Sequence, residues 1–317
     1  MSTPFHTISL TSFLNSRLAV RQLKYTYHAF LHISILKEHS MKILIADDME
    51  GISGVVDWAH VGSNNDEYQR FRKIMTAEVN AAVKGAFEGG ADEVVVSDGH
   101  GGGKNVLIEL LDPRARLNSG SPSPFQMVSG IDKGVDGLIF IGYHARYGTP
   151  NGILAHTWSL GVVNCWLNDR LVGEIGLNSS VAGHFGVPLL MVSSDQAGCN
   201  EAAAWVPGVE TVAVKQGTGT FAAECLPPEV SHRLIRETAE KAVKNLRKGS
   251  APQPVQTATP VVVKIELNNA LQADRAMTAP GAVRLDGRIV QLEAPNMVEA
   301  YRAFRTLVGL AGPIFGL

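Results

Sequence analysis

The chain has 317 residues, of which 45% are hydrophobic and 18% are charged, and its formal net charge is -2. This composition supplies a sizeable core for one large or two modest domains, and it excludes wholesale disorder and an obvious nucleic-acid partner. No uninterrupted apolar run is long enough to cross a bilayer, so we expect no membrane partner. The three scattered cysteines argue against a disulfide framework and favour a reducing compartment, so we predict a cytoplasmic protein.

Residues 1–40 differ in composition from the rest of the chain. They carry several basic residues, many hydroxyl residues and a single acid, Glu38. This composition vaguely resembles a transit peptide, whereas the position of Met41 directly before the first apolar run favours Met41 as the true start. We therefore predict that residues 1–40 are an N-terminal extension outside the fold.

The first predicted strand, at 42–47, runs directly into a group of acidic residues. The apolar stretch at 43–46 suits a strand buried on both faces, and Asp47, Asp48 and Glu50 follow it. Because side chains alternate along a strand, Asp48 and Glu50 point one way and Asp47 the other. Two carboxylates beyond the carboxyl end of a strand indicate a divalent-metal site, and an ordinary acidic turn is the alternative.

The remaining elements follow in chain order. Helices are expected from apolar periodicity and helix-start signals over 65–89, 172–185 (beginning near Glu174), 196–205, 227–248 and 297–308, with a short one at 105–111. Strands are expected from short apolar runs at 93–97, 137–142, 187–192, 210–214 and 261–267. Alternation predicts antiparallel strands at 157–163 and 165–167, and a hairpin is expected around Asp286 and Gly287.

These elements predict an α/β protein with a mostly parallel sheet flanked by helices and a smaller C-terminal α/β domain. The stretch 249–256, which contains two prolines, is the best linker candidate. We therefore divide the chain into the extension at 1–40, a metal-binding catalytic domain at 41–248 and the small domain at 257–317.

Several predicted strands end in a candidate metal ligand. His100 follows the second strand, His144 follows the third, and Glu174 opens a later helix. A lone histidine is more often an ordinary polar residue than a ligand, but these three residues join Asp48 and Glu50 at strand or helix ends. Carboxylates and imidazoles without thiolates suit a zinc or manganese hydrolytic centre. Two metals about 3.5–4 Å apart would need a bridging carboxylate.

Other catalytic motifs do not match the sequence. The stretch at 99–104 resembles a phosphate loop, but it lacks the four-residue spacer between glycines, and Asn105 replaces the required Ser or Thr. It also fails the dinucleotide-binding spacing, because Lys104 falls on the last glycine. No G-x-S-x-G elbow and no H-E-x-x-H motif occurs, which argues against a serine hydrolase in particular.

Five motifs make the sequence recognisable from Met41 to the C-terminus. They are Asp-Met-Glu-Gly-Ile-Ser-Gly at 48–54, Ser-Asp-Gly-His at 97–100, Gly-Tyr-His-Ala-Arg at 142–146, His156, and Asn-Asp-Arg-Leu-Val-Gly-Glu-Ile-Gly at 168–176. Taken in this order, they resemble the D-aminopeptidase family of metallopeptidases, family M55.

The resemblance implies a role for each motif. The active-site histidine of the family falls on His156, although one extra residue lies between His144 and His156 relative to the family type. The family binds two zinc ions, removes N-terminal D-amino acids from short peptides and forms a decamer of two stacked five-membered rings. We therefore expect a homo-oligomeric zinc aminopeptidase with two Zn²⁺ per subunit. The metal ligands of the family fall on Asp48, Glu50, His100, His144 and Glu174.

The implied mechanism is attack on the peptide carbonyl by a metal-bound hydroxide, because two zinc ions lower the pKa of a bound water to roughly 7. His156 would then donate a proton or a hydrogen bond, and the role of nucleophile is the alternative for it. Asp47 and Asp98 are candidates to orient histidine N–H groups, or are simple turn residues. Arg146 either binds a substrate carboxylate or pairs with a neighbouring acid.

Two functions of other classes stay open. One is a dipeptide-binding or transport component, which would be exported, although the sequence holds no convincing signal peptide. The other is a metal-dependent amidase or phosphoesterase that acts on non-peptide substrates.

Overall fold

The structure, a computed structural model, describes residues 40–312. Apart from Ser40, the predicted N-terminal extension lies outside the described residues, and so do residues 313–317. The elements follow one another as β1 (Lys42–Asp47), α1 (Trp58–Val61), α2 (Asp66–Glu88), β2 (Glu93–Asp98), β3 (Arg116–Asn118), β4 (Gly137–Ile141), β5 (Val162–Leu167), β6 (Arg170–Leu171), α3 (Glu174–His184), β7 (Leu189–Asp195), α4 (Gln196–Trp205), β8 (Glu210–Gly219), β9 (Ala222–Cys225), α5 (Pro228–Arg247), β10 (Val261–Leu267), α6 (Ala270–Ala276), β11 (Val283–Arg284), β12 (Ile289–Ala294) and α7 (Met297–Ala311). No helix within 40–312 is both long and apolar enough to cross a membrane.

A seven-stranded sheet in the order β3-β2-β1-β4-β7-β8-β9 carries the candidate site. Its neighbouring strands pair in parallel, except that β8 and β9 pair antiparallel. β1 lies between β2 and β4, and Asp47 at its end is in register with Asp98 on one side and Ile141 on the other. The carboxyl ends of these three strands therefore meet at one edge. The prediction of a mostly parallel sheet flanked by helices is confirmed.

Alternate side chains of β1 enter two hydrophobic cores, one on each face of the sheet. Ile43 and Ile45 pack into a core with apolar residues of α2 and α5, whereas Leu44 and Ala46 pack into a core that reaches α7. All four side chains are fully buried. A strand covered on both faces must be apolar on both, which is why this stretch is a continuous apolar run and not an alternating one.

A second, antiparallel sheet has five strands in the order β11-β12-β10-β5-β6. Because β10 pairs with β5, this sheet contains strands from both sides of the 249–256 stretch. The predicted division into a catalytic and a C-terminal domain stays a prediction. The boundary at 249–256 does not separate the two sheets, because the second sheet has strands from both sides of it. The hydroxyl of Tyr301 on α7 also donates to the carbonyl of Phe125, at 3.2 Å, which ties the last helix to a loop of the first half.

The prediction of two antiparallel strands at 157–163 and 165–167 is wrong, since the chain forms one strand there, β5, which begins only at Val162 and runs to Leu167. Leu154 and Trp158 have φ angles of 49° and 65°, in the left-handed region that β-strands do not use. The chain therefore turns through this stretch before it enters the second sheet.

The short helix predicted at 105–111 is a single 3-10 turn at Ile108–Leu110. The carboxylate of Asp98 accepts hydrogen bonds from the backbone N–H groups of Asn105 and Val106, which holds the start of this stretch in another conformation. Five elements of the structure, α1, β3, β6, β9 and α6, are absent from the predicted set.

Candidate metal centre

Asp48, Glu50 and His100 meet beyond the ends of β1 and β2, and we call these three residues the first ligand group. Nδ1 of His100 lies 3.1 Å from both Asp48 Oδ1 and Glu50 Oε2. The two carboxylates are buried. The chain turns sharply at Gly51, where a Cβ would lie only 1.9 Å from the carbonyl oxygen of Tyr143. Only glycine allows the loop to pack this closely against the neighbouring strand end.

The loop that carries His100 is held by Asp98, the last residue of β2. The Asp98 carboxylate accepts from the backbone of Asn105 and Val106, and Nδ2 of Asn105 donates back to Asp98 and to the carbonyl of His100. Tyr68 on α2 donates its hydroxyl to Asn105 Oδ1 at 2.7 Å. One buried network therefore fixes the chain on both sides of His100.

His144, His156 and Glu174 form the second ligand group. His144 follows β4 through Gly142, whose φ is 72° and whose Cβ position would be 2.2 Å from the carbonyl oxygen of Asp48. Nε2 of His144 lies 3.5 Å from Glu174 Oε1, and Nε2 of His156 lies 3.9 Å from the same oxygen. The two imidazole rings stack with their centroids 4.1 Å apart.

Hydrogen bonds to buried acids hold the segment that carries the second group. Asp195, at the end of β7, accepts from the backbone N–H of Ile153 at 2.6 Å. Glu201 on α4 accepts from the backbone N–H of Arg146 at 2.8 Å. Glu174 itself accepts from the backbone N–H of Trp158 at 2.5 Å. Side chains from later in the chain therefore set the path of residues 145–158.

Asp48 lies between the two groups. Its Oδ1 faces His100 of the first group, and its Oδ2 lies 3.3 Å from Nε2 of His144 in the second. Each oxygen of this carboxylate therefore serves a different cluster, which is the arrangement that a bridging carboxylate requires in a two-metal site.

The outer nitrogen of each histidine is bonded to a backbone carbonyl. Nε2 of His100 lies 3.0 Å from Val61 O, Nδ1 of His144 lies 3.0 Å from Ala145 O, and Nδ1 of His156 lies 2.9 Å from Leu154 O. A carbonyl accepts only, so we assign the proton to these nitrogens. The inner nitrogens are then directed at the carboxylates, as is usual for metal-ligating histidines.

Nε2 of His144 is the clearest sign that the residues fit a metal. It is buried and has no hydrogen-bond partner among the described residues, although Asp48 and Glu174 oxygens lie within 3.3–3.5 Å. A nitrogen lone pair that faces two carboxylates is repelled by them, so this position favours either a proton on the nitrogen or a metal cation between the three groups. The donor set of imidazole and carboxylate, without thiolate, matches the ligands of catalytic zinc.

The carboxylates of the centre strongly attract positive charge. Burial disfavours the charged form of His100, yet the carboxylates of Glu50 and Asp48 raise its pKa well above its usual range. Burial likewise opposes a charged His144, but Glu174 and Asp48 raise the pKa of that histidine as well. Burial and the nearby Glu50 charge raise the pKa of Asp48. A divalent cation would neutralise the same negative charge.

A family model described as D-aminopeptidase matches residues 41–306. The chain belongs to the D-aminopeptidase family. It is 41% identical over 272 residues to the D-aminopeptidase of Bacillus subtilis (strain 168), a match that covers 86% of this chain and 98% of that protein. Its fold matches the solved structure of the zinc-dependent D-aminopeptidase DppA from Bacillus subtilis, a self-compartmentalizing protease. That match has a TM-score of 0.84 at 40% identity and covers 87% of this chain and all of the other.

Membership of the D-aminopeptidase family makes this chain a peptidase, a hydrolase that acts on peptide bonds. Both ligand groups line one cavity of about 200 Å³. His144 is buried behind this cavity, while His156 contributes to its wall. Three residues that the sequence did not single out complete the lining, namely Gln126, Met127 and Trp158.

Three further residues singled out in the sequence of this D-aminopeptidase family member lie outside the cavity lining. Asp98 acts on His100 through Asn105, and the N–H groups of His100 and His144 go to backbone carbonyls, not to Asp47 or Asp98. Asp47 is fully buried, and its carboxylate has no hydrogen-bond partner among the described residues. Arg146 lines a separate cavity of about 440 Å³.

The sequence analysis also missed Lys215, which the structure places directly beneath the first ligand group. This lysine is 2% exposed, and burial lowers its pKa to about 8 although nearby carboxylates, Asp195 foremost, oppose the change. It follows the apolar run Thr-Val-Ala-Val on β8. A charged residue directly after an apolar run is the same signal that pointed to Asp48, although β8 continues past Lys215 to Gly219.

Proposed function

We propose that this protein is a zinc-dependent aminopeptidase that removes N-terminal D-amino acids from short peptides at a dinuclear metal centre. The observation that carries the proposal is the position of Asp48, whose two oxygens lie 3.1 Å from His100 and 3.3 Å from His144. A carboxylate spans two ions, whereas one histidine nitrogen serves a single ion. The Bacillus subtilis relative, a zinc-dependent D-aminopeptidase, supports both the metal and the substrate class.

Asp48 would be shared by the two zinc sites. The first site would add Glu50 and His100, and the second would add His144 and Glu174. When bound, the two ions would lower the pKa of a water to roughly 7, which gives hydroxide as the nucleophile, and would polarise the scissile carbonyl.

His156 is suited to proton transfer at the same cavity. Its Nδ1–H donates to the carbonyl of Leu154, so Nε2 is the atom left for the substrate. Its side chain is 12% exposed, against 1% for His144, and it lies farther from the shared Glu174 oxygen. Nε2 of a positioned imidazole can take up the proton that the attacking water releases and then give it to the leaving amine. We therefore assign His156 as the general acid and not as a ligand.

The size of the cavity supports short peptides as substrates. A volume of about 200 Å³ admits the end of a chain but no folded protein. Gln126 supplies a hydrogen-bonding wall, and Met127 and Trp158 supply an apolar one. An N-terminal residue with a small side chain would contact this wall while its carbonyl faces the ligand groups.

We further propose that the protein works in the cytoplasm as a homo-oligomer, a decamer. The self-compartmentalizing Bacillus subtilis relative supports assembly. Light scattering at micromolar concentration should give a mass near ten times the 33.9 kDa of one chain. A mass equal to one chain would contradict the proposal.

The enzymatic proposal is tested with D-Ala and L-Ala p-nitroanilides. We expect turnover of the D-compound, much slower turnover of the L-compound, loss of both with a chelator and recovery with zinc. His184→Ala, which changes an exposed histidine far along α3, serves as the control and should keep wild-type turnover. Turnover of phosphate esters or other amides with an inert D-compound would instead indicate a different metal-dependent hydrolase. Metal binding without any turnover would favour a binding component.

A further inference from the structure

Lys215 makes three hydrogen bonds to the backbone of the loop that carries the first ligand group. Its Nζ donates to the carbonyl oxygens of Glu50, Ile52 and Val55, at 2.5, 2.9 and 2.6 Å. The side chain crosses from β8, so these contacts join residues that are 160 or more positions apart. One side chain thus holds three successive parts of a single loop.

The arrangement resembles a cation site in which an ammonium group takes the place of a bound ion. An ammonium has three N–H donors, and three carbonyls of one turn accept all of them. Burial of a charged lysine is costly unless such partners are present. The carboxylates of Asp195, Glu78 and Glu50 are the acidic neighbours that favour the positive charge. The ammonium of Lys215 therefore has an acceptor for each of its three N–H donors and needs no direct ion pair.

The same contacts determine where the ligand side chains point. With the carbonyls of Glu50, Ile52 and Val55 turned to Lys215, the Glu50 side chain extends to His100. Ser53 fastens the far end of the loop through its hydroxyl, which donates to the carbonyl of Leu226 at 2.6 Å. Without the ammonium, three carbonyls would be buried with fewer donors, and the loop would relax.

We propose that Lys215 is a positioning residue for the metal centre, an internal ammonium that keeps the loop of Asp48 and Glu50 in its metal-binding conformation. This inference rests on the proposed metal-dependent function. Lys215 touches no cavity-lining side chain in the described contacts, so its effect on substrate is indirect and passes through Glu50.

The test compares the wild type with Lys215→Met, which keeps the length of the side chain and removes the charge and the donors. Metal-free proteins are titrated with Co²⁺, and the visible absorption spectrum and the dissociation constant are recorded. We expect Lys215→Met to bind Co²⁺ about 10- to 100-fold more weakly, as is typical when a residue that orients a ligand is lost. We also expect an altered spectrum and a lower kcat with little change in KM for D-Ala p-nitroanilide.

Two control variants separate positioning from general effects. Lys264→Met removes another strand lysine, whose Nζ is bonded to Asp169 at the surface, and should leave the Co²⁺ spectrum unchanged. Ile235→Ala makes a cavity in the core on α5 and should lower the melting temperature without changing Co²⁺ affinity. If Lys215→Met does not fold, Lys215→Gln, which keeps polar hydrogen-bonding capacity, replaces it with the same expectation.

Each outcome of the Co²⁺ titration either supports or overturns the positioning role of Lys215. A folded Lys215 variant with wild-type Co²⁺ affinity and spectrum would overturn it, and so would failure of both variants to fold, because Lys215 would then serve the fold as a whole. A wild type that binds no Co²⁺ or Zn²⁺ would instead remove the proposed metal-dependent function. The two failures are therefore distinguishable.

Discussion

The two ligand groups meet at Asp48, which belongs to the first group and also faces His144 of the second, but they are built in different ways. Asp48, Glu50 and His100 stand within a few residues of the ends of β1 and β2, two adjacent parallel strands. The second group combines residues of a segment that leaves the seven-stranded sheet after β4 with Glu174, the first residue of helix α3. The sheet therefore places the first group directly, whereas long-range hydrogen bonds place the second.

Buried charged residues support both groups, but they act on different backbone atoms. Under the first group, the ammonium of Lys215 binds carbonyls of the loop. Around the second group, the carboxylates of Asp195 and Glu201 bind N–H groups of Ile153 and Arg146. A loop whose carbonyls point inward needs donors beneath it, and a loop whose N–H groups point inward needs acceptors. In this protein an ammonium supplies the donors under the first group and carboxylates supply the acceptors around the second.

The largest expected effect is that of Asp48→Ala, which removes the residue that contacts both groups. We expect loss of more metal than in Glu50→Ala or His100→Ala, because those variants affect a single site. Turnover should fall by more than the about 10⁴-fold that loss of a proton-transfer group costs. Metal analysis after dialysis, together with the p-nitroanilide assay, checks this. Retention of two ions per chain in Asp48→Ala would contradict the bridging role.

His156→Ala tests whether His156, unlike His144 in the same group, is a catalytic side chain and not a metal ligand. We expect the variant to keep its metals and its fold and to lose kcat by about 10²- to 10⁴-fold, with KM little changed. The stacked neighbour His144 gives the contrast, since His144→Ala should lose metal. Loss of one ion from His156→Ala would make His156 a ligand, and wild-type turnover would remove it from the mechanism.

The first group was open to prediction from residues alone, since an apolar run that ends in acids places carboxylates at a sheet edge. The strand order β2-β1-β4 could not be predicted from the residues alone, because nothing local in the sequence states which strands become neighbours. Within the second group, His144 and Glu174 were singled out at a strand end and at the start of a helix, whereas His156 was named only through the resemblance to the family. His156 precedes a stretch that was predicted to be a strand, and the chain around it is instead a turn with left-handed residues at Leu154 and Trp158. Such conformations depend on tertiary contacts, here the hydrogen bond from Trp158 to Glu174.

Glu78 on α2 makes the stability of the first group dependent on pH. Its Oε1 accepts from the backbone N–H of Ser53 and the hydroxyl of Ser231, at 3.2 and 3.0 Å. Burial raises the pKa of Glu78 from 4.5 to about 7. The folded protein therefore binds this proton more tightly than the unfolded chain does. Its stabilising effect is complete below pH 4.5 and is lost as the pH rises to about 7.

Glu78→Gln should remove this pH dependence, because the amide keeps an acceptor oxygen and carries no charge. A shift of this size corresponds to about 3 kcal/mol of unfolding free energy. We expect the stability of Glu78→Gln relative to the wild type to rise by about that amount between pH 4.5 and pH 8. Urea denaturation of the metal-free proteins measures it. Parallel pH profiles for the two proteins would show that the pKa of Glu78 does not differ between the folded and unfolded states.

The smallest expected effects come from removing one support of each group at a time. Asn105→Ala cuts the link from Asp98 to His100 in the first group, and Glu201→Ala frees the N–H of Arg146 beside His144 in the second. Each change should weaken metal binding about 10- to 100-fold. Because the two supports act on different groups, Asn105→Ala should weaken one binding step of a Co²⁺ titration and Glu201→Ala the other.

The matched control for this pair is Asn245→Ala on α5, whose amide contacts Glu210 away from both groups. It should reproduce the wild-type titration. If Asn105→Ala and Glu201→Ala weaken the same step, the two groups do not hold separate ions, and Asp48 would then join them into one site. The effect of each variant on the two binding steps of the titration therefore tests whether the groups hold separate ions. Total metal content alone would not test this.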